Sequence, residues 1–173
     1  MSHPLLGDPA ALSALAATLR RTALQLSSDA QALREALEDC APGWTGPTAT
    51  STRRRTATVL ATLEPVAAAL DGCGRHLQQA ATELAATTAD LRALEESASA
   101  AGFEVRDGRL HRAWGITGVA DHVVQADGDR RRGELQERLR QLLATMGRHR
   151  AALAAHCDEA TRLLGRASSA LRA

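Results

Sequence analysis

Tyrosine and lysine are absent from the 173 residues; phenylalanine occurs once and tryptophan twice. With aromatics at 2%, a bulky globular core is excluded, and packing must come from leucine and alanine. Every basic residue is an arginine, which fits a GC-rich genome better than a functional demand. Basic and acidic residues nearly cancel, leaving a net charge of +1. No global field therefore favours nucleic acid or a membrane surface. Long apolar runs are also missing, and nothing approaches the ~18–20 residues of a membrane span. The start, Met1-Ser2-His3-Pro4-Leu5-Leu6, lacks the basic and apolar regions of a secretory signal peptide. Export, if it occurs, is expected by another route. Three cysteines, Cys40, Cys73 and Cys157, form no disulfide framework.

What is present is helical periodicity. Asp8 is a suitable N-cap and Pro9 fits the first helical position. From there to about Asp39 the apolar seam is Leu12, Ala16, Leu19, Ala23, Leu26, Ala30, Leu33 and Leu37, in steps of four and three. This is a heptad pattern, and alternating Leu with Ala lets a partner helix approach closely. Leu15 and Leu24 lie beside the seam and widen it. A second helix is expected from Pro47 to about Ala101. Its seam includes Val59, Leu63, Val66, Leu70, Cys73, Leu77, Ala80, Leu84, Leu91, Leu94 and Ala98. Pro65 should bend it, and Gly72 and Gly74 weaken its middle, where a break at Asp71-Gly72 is conceivable. Asp107-Gly108 lies between the short segments Phe103–Arg106 and Arg109–His111, a strong hairpin signal. Trp114 is expected to plug this ribbon against helix ends, and Asp121–Val124 to begin a short helix. A third long helix is expected from about Asp127 or Gly133 to Leu171, with Leu135, Leu139, Leu142, Met146, His149, Leu153, His156, Ala160 and Leu163 on its seam.

Between the first two helices lies Ala41-Pro42-Gly43-Trp44-Thr45-Gly46-Pro47. The prolines remove backbone donors and the glycines permit a sharp reversal, so the two helices should form an antiparallel hairpin with Trp44 over its closed end. The fold class read from this pattern is all-α: a long helical hairpin with a Trp-x-Gly turn, a small β-hairpin, then a third long helix packing as a bundle or coiled coil. Residues 1–101 form the hairpin, 102–118 the connector and 119–173 the last helix.

Asp8-Pro9-Ala10-Ala11-Leu12, then Trp44-Thr45-Gly46-Pro47, then a second long helix resembles the WXG superfamily, the helical-hairpin proteins of type VII secretion in actinobacteria and Firmicutes. The resemblance covers about residues 5 to 100. It implies a homodimer or a heterodimer with a related small helical protein. Many secreted members carry a Tyr-x-x-x-Asp/Glu export signal. A chain without tyrosine cannot carry it in that form, so a partner would supply it. Where the family often has an aromatic residue after the motif, this chain has Arg53-Arg54-Arg55.

No enzyme motif appears: there is no phosphate-binding loop, nucleophile elbow or His-Glu-x-x-His, and no cofactor is implied. The arginine triplets at 53–55 and 130–132 lack aromatic stacking partners and read as solvated helix segments rather than a nucleic-acid surface. His149 and His156 stand where Leu is expected. If the third helix folds back along the second, His149 should face residues at about 72 to 80, and His156 and Cys157 those at about 64 to 73, at equal helical rise. Cys73, His76, His149, His156 and Cys157 would then lie within a few turns of one another. The ordinary reading is a buried polar layer that sets helix register; the alternative is zinc ligation. Among the cysteine pairs only Cys73–Cys157 lies at a suitable level, and half-buried free thiols are the ordinary reading there too.

The functional expectation is an interaction protein of a type VII secretion locus, a secreted substrate or its partner. It would act through Trp44, Gly46, Leu12, Leu19, Leu26, Leu33, Leu63, Leu70, Leu77 and Leu84 in helix pairing. A cytoplasmic chaperone or adaptor for a secreted client is the second reading, and a metal- or redox-sensing Cys/His bundle the third.

Overall fold

A computed structural model describes residues 8–113 and 122–172, with the side chains of residues 122–125 excepted. Its elements are α1 (Pro9–Cys40), α2 (Pro47–Ala100), β1 (Phe103–Arg106), β2 (Arg109–Arg112) and α3 (His122–Arg172). The all-α class with a small ribbon is therefore the observed one. No helix among the described residues is long and apolar enough to cross a membrane. Trp114, expected as a plug, lies outside the described residues.

As expected, α2 is one long helix, continuous through Pro65, Gly72 and Gly74. The start of α3 is a correction: it begins at His122 and runs through Gly128 and Gly133, instead of starting at Asp127 or later. In both helices a propensity loss of about 1 kcal/mol per glycine is too small to interrupt a helix held by tertiary contacts.

The chain divides into two compact units, one holding Thr82–Ala151 and the other Ala10–Ala81 together with α3 from Ala152 onward. In the second, the hairpin unit, α1 runs antiparallel to α2. Polar pairs mark the register: Gln78 Nε2 donates to Ser13 Oγ at 3.3 Å, Arg20 Nε to Asp71 Oδ1 at 3.3 Å, and Arg34 pairs with Glu64. Such exposed pairs contribute at most about 1 kcal/mol each, so they report the register more than they create it. The centre of the seam is alanine: Ala16, Ala23 and Ala30 are buried at heptad spacing. Small side chains there let the two backbones approach. At one end Leu77, Cys73 and Ala16 form a core, closed by Leu12, Leu19, Leu153, Cys157 and Ala160.

The other unit is built around the ribbon. Phe103 pairs with Arg112 and Val105 with Leu110, and the reversal at Asp107-Gly108 has φ of 50° and 73° at its two residues. Both angles lie in the left-handed region, which Asp and Gly tolerate best. Phe103 and Leu110 point inward onto Ala98 and Leu135, and Leu94, Leu91 and Leu139 continue the core along α2 and α3. The ribbon is also hydrogen-bonded to α3. Gln136 Oε1 accepts from the Leu110 amide at 2.8 Å, and Arg132 donates to the Leu110 carbonyl at 3.3 Å. The arginine triplet is exposed, as expected, and from there Arg132 also reaches the strand edge.

Candidate functional site

At the closed end of the hairpin, Gly46 has φ of 105°, a conformation strained for other residues. It releases the chain into α2, whose first turn closes with Thr50 N donating to Gly46 O at 3.1 Å. Trp44 is half-buried, not fully covered. The Arg53 guanidinium lies 5.9 Å from the centre of its indole and donates to the Trp44 carbonyl at 2.7 Å. A cation at that distance interacts favourably with the ring face. Arg53 therefore organises the Trp-x-Gly turn. The signal was its position, two turns into a helix that starts at Pro47, where a long side chain can reach back to the turn carbonyls.

The leucines named as pairing residues fall into three groups. Leu70 and Leu77 are buried in the hairpin unit. Leu12, Leu19, Leu26, Leu33 and Leu63 stay half-buried at its seam edges. Leu84 belongs to neither group, since it packs on the Leu91–Leu94–Leu139 core of the ribbon unit. Leu84 thus pairs α2 with α3. The reason is length. At 32 residues α1 spans only part of the 54 residues of α2, and the remainder of α2 turns its apolar face to α3. Beside the seam, Leu15 is 48% and Leu24 71% exposed. Leu24 borders an open groove between α1 and α2, with Ala23, Ser27, Glu64, Ala67 and Ala68.

The Cys/His residues assemble in part. Cys73 and Cys157 touch in the hairpin unit. His76 and His156 stack with ring centroids 3.6 Å apart, and His76 Nδ1 lies 2.8 Å from the Gly72 carbonyl. Cys73, His76, His156 and Glu159 line one open recess. His149 is elsewhere: in the ribbon unit its Nδ1 lies 3.0 Å from Glu83 Oε2. The expected levels were short by about one turn, since His156 meets His76 and His149 meets Glu83. A buried polar layer does not describe these imidazoles, since His76 and His156 are exposed and His149 half-exposed. Among the described residues no three His, Cys, Asp or Glu side chains converge to hold a metal ion. Burial, and then the neighbouring Cys157 thiol, push the Cys73 thiol up from its ordinary range.

The arrangement offers two chemical opportunities: an apolar hairpin surface that is incompletely covered, and a thiol pair beside stacked imidazoles. Comparison with protein-family models, curated proteins and solved structures returns no match.

Proposed function

We propose that the chain is a helical interaction protein of a type VII secretion locus that acts by helix-on-helix pairing, as a secreted substrate or the partner of one. The observation that carries this reading is the unfinished seam of the hairpin unit. Its centre is closed by alanines, while Leu12, Leu19, Leu26 and Leu33 stay half-buried and Leu15 and Leu24 project beside them. A second helical hairpin, from another copy or from a related small protein, has the shape and chemistry to cover such a surface. The Trp44-Thr45-Gly46 reversal between two antiparallel helices supports a WXG-like reading, in which a chain without tyrosine takes its export signal from the partner.

Location separates this reading from a chaperone that stays behind. The chain should appear in the culture filtrate of a secretion-competent strain and disappear from it when the secretion ATPase is inactivated. Retention inside the cell in both strains, with the client still exported, would replace the substrate reading with the chaperone one.

A further inference from the structure

The pairing reading makes no use of the Cys73–Cys157 contact, which joins two helices far apart in sequence. Cys73 lies on α2 and is buried; Cys157 lies on α3 and is half-buried. Their thiols are close enough to hydrogen-bond. The third cysteine, Cys40, is exposed at the end of α1. Cys157 is itself half-exposed, and the recess lined by Cys73, His76, His156 and Glu159 opens beside the pair, so a small oxidant has a path to it. Metal chelation is the competing use of the same side chains, but the donors do not converge on a common point.

We propose that Cys73 and Cys157 are a peroxide-oxidisable thiol pair that closes to a disulfide and covalently ties α3 to α2 in the hairpin unit. Cys157, the more accessible thiol, reacts first. Its thiolate attacks one oxygen of hydrogen peroxide, the O–O bond breaks, and the hydroxide released takes up a proton to become water. The product is a sulfenic acid on Cys157. Cys73 Sγ then attacks Cys157 Sγ, the S–O bond breaks, and the departing hydroxide takes the Cys73 thiol proton as a second water. Two thiols and one peroxide thus yield one disulfide and two waters, with two electrons passed to the peroxide. Cys73 suits the second role: burial disfavours its thiolate, so it is not the first to react, and it touches the sulfur it must reach. Because the cross-link closes a long loop, it should raise the unfolding temperature of the hairpin unit.

The test uses the full chain carrying Cys40→Ser, which removes intermolecular pairing. After treatment with hydrogen peroxide and alkylation of the remaining thiols, intact mass should show the loss of two hydrogens and no alkylation. Peptide mapping should recover a Cys73–Cys157 cross-linked pair, and the melting temperature should rise and return on reduction. In the Cys40→Ser, Cys73→Ser chain, Cys157 should accumulate as a sulfenic acid trapped by dimedone. Two free, alkylatable thiols after oxidation of folded protein would overturn the proposal, as would overoxidation of Cys157 to the sulfinic acid without cross-linking. Stoichiometric zinc uptake that protects both thiols from peroxide would also overturn it and assign the pair to metal binding.

Discussion

Leu94→Ala and Leu139→Ala should each destabilise the ribbon unit by about 2–5 kcal/mol, among the largest losses available to a single side chain in this molecule. Both leucines are essentially inaccessible, at 0% and 1% exposure, and they share one core with Leu91. Truncation there removes buried apolar atoms and leaves a cavity. The walls, continuous helices on two sides, cannot collapse to fill it. Leu142, Leu143 and Met146 border the site. Met146 is the neighbour best able to relax into it. Because the side chains share one cavity, the double variant should cost less than the two single losses added. Urea titrations with a probe in the ribbon unit, such as hydrogen exchange at the Leu110 amide, provide the measurement. A loss under about 1 kcal/mol for Leu94→Ala would mean that the α2–α3 contact does not form this core.

Gly74→Ala and Gly72→Ala should change stability in opposite directions although both place alanine in the same helix. By intrinsic preference each substitution favours the helix by about 1 kcal/mol. At Gly72 nothing lies within 4 Å of an added methyl, so the gain should be realised. At Gly74 the methyl would lie 2.5 Å from Arg20 Cγ and 3.0 Å from the Ala16 carbonyl oxygen. The arginine can move aside, at the expense of its bond to Asp71, but the carbonyl belongs to the α1 backbone. Overpacking of this kind costs about 1–3 kcal/mol, so a net loss of up to about 2 kcal/mol should remain. Gly74→Leu should cost more. Thermal melts of both alanine variants decide the point: a stabilised Gly74→Ala would show that α1 and α2 do not approach closely at Ala16.

These two cases show what was legible in the sequence. The heptad alternation of Leu and Ala predicts the α1 seam, and Ala16, Ala23 and Ala30 do form its buried centre. Asp107-Gly108 predicts the ribbon turn because few other residue pairs adopt its angles. The function of Gly74 was not legible. A glycine inside a helix reads as a weakness until the neighbouring backbone is seen, and Ala16 is 58 positions away in the chain. Gln136 is a similar case: its two hydrogen bonds to the ribbon depend on the rotation of α3 about its axis, which periodicity gives only to within a side chain. The Cys73–Cys157 level could be estimated from helical rise, since an error of one turn still brings two thiols near each other. The same error moved His149 to Glu83.

Sedimentation velocity tests the central claim, that the hairpin unit is completed by a second helical protein. The chain should be run alone and with the small helical protein encoded beside it, as wild type and as Leu15→Gln, Leu24→Gln. Wild type should sediment as a homodimer or as a one-to-one complex. The double variant should dissociate at least tenfold more readily, with the melting temperature of the dilute chain unchanged because both side chains are exposed. A wild-type chain that remains a clean monomer at high concentration, alone and in the mixture, would contradict the account.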